Sequence, residues 1–238
     1  MELHPPPTHL NDNVVTFQAF THRTREQEDR FRRERYIHKG PARSLVGCVV
    51  GLVGYGRLAR RLERAFHELG CKVVTADPYV DPAEAMIEVV PLHDLLAASD
   101  IVVLACPLND ETRGMIGADE LALMRPSSYL MNPARGALTD EAALAAALRD
   151  KAIAGAAVDA YSDEPNVEHN PLFEAPNALL TPHIGGHTHE TYLEESLVAV
   201  EAVSDVAQGH IPRNLVNRDV LSVAAKLRAA GAGTPESN

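Results

Sequence analysis

An α/β fold, a doubly wound parallel sheet preceded by a charged helix and followed by a further helix, is what this 238-residue sequence predicts. Three observations carry that expectation. The stretch Val49 to Leu62 reads as a buried β-strand that runs into a glycine turn and then into a helix, because an apolar β-branched run breaks at Gly54-Tyr55-Gly56 and period-3.6 apolar spacing follows. Strand and helix patterns alternate from there onward, as βαβ units require. Asp100 to Cys106 is a near-continuous apolar run, the kind expected where helices cover both faces of a parallel sheet.

The elements follow in order. Residues 1–12 are proline-rich and polar and form a loose lead-in. From Asn13 to Tyr36 the pattern is helical and heavily charged, with arginines interleaved with acids, so the helix is solvated or lies at an interface and its positive charge is offset. Beyond the turn at Lys39-Gly40-Pro41, strands are expected at Cys48–Val53, Lys72–Ala76, Asp100–Cys106, Ser128–Asn132, Ile153–Asp159 and Asn177–Thr181. Helices are expected at Arg57–Leu69, Leu92–Ala98, Ala118–Met124, Asp140–Arg149 and Glu190–Gly209, and the tail from Ala229 is expected to be disordered. This divides the chain into a lead-in and linker or dimer helix (1–40), a sheet domain (41–190), and a C-terminal helix with a flexible tail (191–238).

Composition narrows the partners. A net charge of -11 argues against nucleic acid and against anionic membranes. Cys48, Cys71 and Cys106 are odd in number and lie in apolar strand-like contexts, which suits reduced core thiols better than a disulfide frame or a metal site. The N-terminus has neither a basic nor an apolar targeting region, and the longest apolar run is too short to span a bilayer, so a cytoplasmic protein is expected.

The glycine turn has the chemistry of a phosphate seat. Gly54 lets the chain turn tightly, Gly56 removes a side chain where a pyrophosphate would approach, and Ala59 allows close helix–strand packing, while the helix N-terminus offers unpaired N–H groups. A dinucleotide site of Rossmann type also needs a carboxylate at the end of the second strand to accept from the ribose hydroxyls. Asp77 stands there, 23 residues after Gly54. A carboxylate at that point repels a 2′-phosphate, which favours NAD over NADP. A turn-forming Asp before Pro78 accounts for the residue as well, and the two roles are compatible.

Further along lie Ser99-Asp100 through Cys106-Pro107-Leu108 to Thr112-Arg113-Gly114, then Met131-Asn132-Pro133-Ala134-Arg135-Gly136, Ala154-Gly155 to Asp159, Asp163-Glu164-Pro165, and Thr181-Pro182-His183-Ile184-Gly185-Gly186. With these motifs in this order, the stretch from about Asn13 to Asn217 resembles the D-isomer-specific 2-hydroxyacid dehydrogenase family, which includes D-3-phosphoglycerate dehydrogenases, glyoxylate/hydroxypyruvate reductases, and D-lactate and formate dehydrogenases. The resemblance implies that Arg135 holds the substrate carboxylate, that His183 is the acid/base, and that Glu164 orients it. It also implies that Arg57 and Leu58 lie beside the pyrophosphate, and that Pro107, Thr112, Pro133, Ala134, Asp159 and Gly185 line the ribose and nicotinamide, with Arg135 and His183 at the same end.

The residue types suit the chemistry. Reducing a 2-keto acid delivers hydride to the carbonyl carbon and a proton to its oxygen, for which an imidazole is the fitting donor. A neighbouring carboxylate fixes the imidazole's tautomer, and a guanidinium grips the substrate carboxylate with two parallel hydrogen bonds. His183, His187 and His189 also have a spacing open to metal ligation, but no accompanying carboxylate motif supports it, so no metal is expected.

Family members carry a second, substrate-facing domain built mostly from chain before the glycine turn, whereas only about 45 residues lie there in this sequence. The resemblance therefore implies a chain without most of that domain. Two functions stay open on this basis: an NAD-dependent dehydrogenase of a small 2-hydroxy acid, and a non-catalytic NAD-binding module or truncated pseudo-enzyme with a regulatory role. The family dimerises through the cofactor domain, so a homodimer is expected.

Overall fold

The computed structural model describes residues 32–35, 44–83 and 85–222. The expected helix over Asn13–Tyr36 and the tail from Ala229 lie almost wholly outside these residues. The chain divides into two compact units, Met1–His187 and Thr188–Asn238.

The first unit is a seven-stranded, wholly parallel sheet. Among the described residues its elements are β1 (Val49–Val53), α1 (Arg57–Glu68), β2 (Lys72–Ala76), β3 (Glu88–Val89), α2 (Leu92–Ala98), β4 (Ile101–Leu104), α3 (Ala118–Leu123), β5 (Tyr129–Asn132), α4 (Glu141–Arg149), β6 (Gly155–Val158) and β7 (Ala178–Leu180). Short 3₁₀ turns lie at Gly136–Leu138 and Pro171–Glu174. The strand order is β3-β2-β1-β4-β5-β6-β7, so the chain winds outward from β1 in one direction and then from β4 in the other. That reversal between β1 and β4 is where an open α/β sheet has a crevice at its carboxyl edge, since the flanking loops turn away to opposite sides.

Alternation along the strands distributes their side chains between two cores. Val50 and Leu52 of β1, Val73 of β2 and Ile101 and Val103 of β4 pack with Ala59, Leu62 and Phe66 of α1. Val53, Val74, Val102, Leu104 and Leu130 pack on the other face with Leu95 and Leu96 of α2, Leu121 of α3 and Leu144 and Leu148 of α4. The amino edge of the sheet is tied by Asp100, whose carboxylate accepts from the Val49 amide and from the Arg125 guanidinium, both at 2.8 Å.

β2 has the bounds the sequence pattern suggests, and the other expected strands are one to three residues shorter. β4 stops at Leu104, shortly before Pro107, which has no N–H to give a ladder. The sequence reading omits β3 altogether. It is a two-residue edge strand in register with Val74 and Thr75, too short to show a period. Cys48 and Cys71 are buried, and burial pushes the Cys71 thiol up to about 11, with further contributions from Cys48 and Asp100.

The second unit contains α5 (His189–Ala207), capped at its start by the Thr188 hydroxyl, which accepts from the Thr191 amide at 3.2 Å. Tyr192, Leu193, Leu197, Val200, Val203 and Val206 are exposed along it. Among the described residues no helix is long and apolar enough to cross a membrane.

Candidate active site

The residues singled out by the sequence stand at one edge of the sheet. Gly54 follows β1, Asp77 follows β2, Pro107 comes shortly after β4, Pro133 to Arg135 follow β5, Asp159 follows β6, and His183 comes soon after β7.

The two turn glycines serve different purposes. Gly54 has φ +93, and a Cβ there would lie 2.9 Å from the Cys106 backbone nitrogen, Cα and Cβ, so the close approach of the β1 and β4 exits excludes any side chain. At Gly56 the backbone is extended, with φ -76 and ψ -165, and an added Cβ would meet nothing within 4 Å. The fold itself does not require glycine there, and the space beside the start of α1 stays open. No side chain caps that helix, so the first amides, those of Arg57 and Leu58 among them, are available to an anion.

Asp77 is bound to the same turn. Its Oδ2 accepts from the Tyr55 amide at 2.8 Å, and its Oδ1 accepts from the Tyr79 amide at 2.9 Å. An ionised carboxylate offers about four acceptor sites, so about two remain open to a further donor. The Tyr55 ring points into the core, with its hydroxyl donating to Glu63 at 2.7 Å and the Arg60 guanidinium 4.3 Å from its centroid. On the β4 side the Thr112 hydroxyl donates to the Pro107 carbonyl at 2.7 Å and accepts from the Asn109 amide at 2.9 Å, which closes that loop on itself.

At the other end of the crevice edge the Asn132 side chain shapes the 133–135 turn, donating to the Arg135 carbonyl at 2.8 Å and accepting from the Ala134 amide at 3.2 Å. Arg135 is exposed and donates to the Ala134 carbonyl at 2.6 Å. Directly after it, a Cβ on Gly136 would lie 2.0 Å from the Tyr161 carbonyl carbon and 2.2 Å from the Ser162 nitrogen. The turn that bears Arg135 is therefore packed, backbone to backbone, against the loop that bears Glu164.

Glu164 and His183 are in contact. Oε2 of Glu164 lies 2.7 Å from Nδ1 of His183, and its Oε1 accepts from the Tyr161 amide at 2.7 Å. Burial pushes the Glu164 carboxyl up, but the hydrogen bonds from His183 and Tyr161 outweigh it and hold the group below the usual carboxylate range. An ionised Glu164 requires the proton on Nδ1, which leaves Nε2 for a reacting partner.

The loop carrying His183 is held by Asp159. Its Oδ1 accepts from the Thr181 hydroxyl at 2.5 Å and the Ile184 amide at 3.0 Å, and its Oδ2 accepts from the Gly185 amide at 2.9 Å. Between those donors His183 adopts φ 53. Tyr161, whose phenol is pushed up to about 12 by burial and by the charges of Asp159, Glu141 and Glu164, donates to the Thr181 carbonyl at 2.9 Å. The rings of His183 and His187 stand parallel with centroids 6.4 Å apart, and among the described residues no group of three or more metal-ligating side chains comes together.

The supports to which the sequence reading gives no role of their own are Asn132, Gly136, Thr181 and Tyr161. The first three sit inside the motifs around Arg135 and His183, where their neighbours are a signal. Tyr161 bears none, because its role depends on a loop closing back onto β7.

Residues 14–185 match the model of the D-isomer specific 2-hydroxyacid dehydrogenase NAD binding domain. The chain belongs to this dehydrogenase family. Its residues are 38% identical over 182 positions to a glyoxylate reductase of Aeropyrum pernix, an alignment covering 75% of this chain and 54% of that protein. They are 34% identical over 177 positions to a D-3-phosphoglycerate dehydrogenase of Methanocaldococcus jannaschii, covering 73% and 34%. Among solved structures, the TT0316 protein of Thermus thermophilus superposes with a TM-score of 0.82 at 31% identity, over 89% of this chain and 68% of that one. An NAD-complexed D-isomer specific 2-hydroxyacid dehydrogenase of Lactobacillus delbrueckii ssp. bulgaricus gives a TM-score of 0.79 at 26% identity, over 90% and 70%. The chain spans about half the length of the glyoxylate reductases it matches. NAD is the cofactor of the matched domain, and the open space at Gly56, the uncapped start of α1 and the spare acceptors of Asp77 fit it.

Two outcomes follow from the geometry. Gly56→Ala should leave urea-unfolding stability within about 1 kcal/mol of wild type yet weaken NADH at least about tenfold, whereas Gly54→Ala should destabilise by about 1–3 kcal/mol as well. In a carboxyl-carbon NMR titration Glu164 should have a midpoint below the ordinary carboxylate range. Its contribution to stability is present above the unfolded-state value and is lost as the pH falls through the folded one, and His183→Ala should move the midpoint upward.

Proposed function

We propose that this chain carries out NAD-dependent interconversion of a small D-2-hydroxy acid and its 2-keto acid. The observation that carries this reading is the Glu164–His183 pair, closed at 2.7 Å on the same sheet edge as the glycine turn and Asp77. When bound, the nicotinamide supplies or accepts the hydride. His183 moves the proton: in reduction its Nε2 gives one to the carbonyl oxygen as the alcohol forms, and in oxidation it takes that proton back. Glu164 keeps Nδ1 protonated and so sets Nε2 for that exchange. Arg135 binds the substrate carboxylate in a two-pronged contact and offsets negative charge growing on the carbonyl oxygen.

On the cofactor side, Gly54, Gly56, Arg57 and Leu58 receive the pyrophosphate, and Asp77 takes the adenosine ribose. Pro107, Thr112, Pro133, Ala134, Asp159 and Gly185 line the nicotinamide half. Asp159 does so mainly as the anchor of the His183 loop, since three donors already occupy its oxygens.

A second reading is an NAD-binding module without turnover, supported by the family match, which is to the NAD binding domain. The discriminating measurement is NADH oxidation with glyoxylate, hydroxypyruvate, pyruvate and phosphohydroxypyruvate. The dehydrogenase reading expects turnover on at least one of them and a loss of roughly 10²- to 10⁴-fold in kcat for His183→Ala with NADH affinity kept. Tight NADH binding without turnover on any of the four would leave the second reading standing. The protein is further proposed to work as a two-fold homodimer, and static light scattering at micromolar concentration should return twice the chain mass.

A further inference from the structure

The order β2-β1-β4 sets the exits of β2 and β4 on either side of the exit of β1, with Gly54-Tyr55-Gly56 between them. Tyr79 is on the β2 side, two residues beyond Asp77, with its backbone fastened to Asp77 Oδ1. Glu111 is on the β4 side, in a turn closed by Asn109, whose Oδ1 accepts from the Glu111 amide at 3.0 Å and the Thr112 amide at 2.9 Å. The Tyr79 phenol donates to Oε2 of Glu111. This bond therefore runs from one bank of the crevice to the other, past the phosphate seat.

Nothing in the folding of either loop asks for it. Each turn is already closed by its own aspartate or asparagine, and both side chains in the bridge are exposed, Tyr79 to 77%. An exposed hydrogen bond between two flexible side chains adds little to stability in water. Its value lies in what it spans. The adenosine half of a dinucleotide whose pyrophosphate lies at Gly56 and whose ribose meets Asp77 leaves the crevice between these two banks. The phenol also keeps its proton: its hydrogen bond to Glu111, that residue's charge and the more distant Asp77 all push it up, so it remains a donor at neutral pH.

We propose that Tyr79 and Glu111 form a clasp that closes over the seated adenosine and slows its release, with the tyrosine ring as an added wall of the adenosine subsite. This rests on the reading that NAD lies along the crevice from Gly56 to Asp77. The clasp opens to admit the dinucleotide and recloses outside it, so its effect falls on residence time, as with the mobile loops that gate release in other enzymes.

Stopped-flow displacement of NADH from the full chain tests it. Tyr79→Phe keeps the ring but removes the donor, and Glu111→Ala removes the acceptor. Each should raise the NADH release rate by roughly three- to tenfold. The double variant should match the single ones, because either change opens the same bond. ADP-ribose should show the same increase, reduced nicotinamide mononucleotide, which has no adenosine, should show none, and thermal unfolding midpoints should be unchanged. Release rates within about twofold of wild type in both variants would overturn the clasp. If Asp77→Ala weakens NADH in that case, the crevice reading survives without it. A wild-type chain that binds no NADH, or an Asp77→Ala variant that binds it unchanged, would overturn the crevice reading and the clasp together.

Discussion

The closeness with which β1 and β4 leave the sheet governs the carboxyl edge. With a Gly54 Cβ position 2.9 Å from the Cys106 backbone, the two exits are packed main chain to side chain's root, and there is no slack for a methyl group. That contact turns the chain sharply at Gly54, aims the start of α1 along the crevice, and sets the Tyr55 amide where Asp77 accepts it at 2.8 Å. The acid at the end of β2 is thus referenced to the turn at the end of β1 by a hydrogen bond and not only by neighbouring strand positions. The proposed pyrophosphate seat and the proposed ribose acceptor are thereby tied into one piece.

The far half of the edge is organised by carboxylates that collect donors. Asp159 gathers the Thr181 hydroxyl and the Ile184 and Gly185 amides, and Glu164 gathers the Tyr161 amide and His183. Each donor so satisfied fixes a loop that has no strand to hold it. His183 sits at φ 53, a conformation uncommon for a residue with a side chain, and the bonds to Asp159 on both sides offset its cost. The proton transfer proposed for His183 needs one nitrogen presented at a repeatable angle, and here the ring is fixed by Glu164 while the backbone under it is fixed by Asp159.

Much of this was legible in the sequence because its signals are local. Gly54, Gly56 and Asp77 announce themselves by spacing, since a strand, a turn and an acid about 20 residues on have a set geometry in a βαβ unit. Arg135, Glu164 and His183 were found through motifs in order, and the structure joins the last two. What stayed hidden depends on distant pieces of chain. β3 is held by pairing with β2 and carries no period of its own. The reason Gly136 is glycine lies in the backbone of Tyr161 and Ser162, 25 residues away. Asp159 read as a cofactor-lining residue, yet its oxygens are turned to the His183 loop, which no pattern in the strand before it encodes. Tyr79 and Glu111 come from separate loops, and only the strand order sets them face to face.

The two halves are therefore built on different principles, and this bears on how the site tolerates change. The half proposed to hold the cofactor relies on missing side chains, main-chain amides and the Asp77 carboxylate, so away from Asp77 a substitution there acts mainly by filling space. The chemistry half relies on charged oxygens shared among several donors, so removing one carboxylate frees a whole loop and leaves amides without partners. Between them lies the parallel sheet, whose central strands are buried on both faces and deform little. Perturbations within one half should compound, because their hydrogen bonds share atoms. The carboxylates of the two halves, Asp77 on one side and Asp159 and Glu164 on the other, collect different donors, and the strands beneath carry each set of loops at a fixed spacing whichever side is altered.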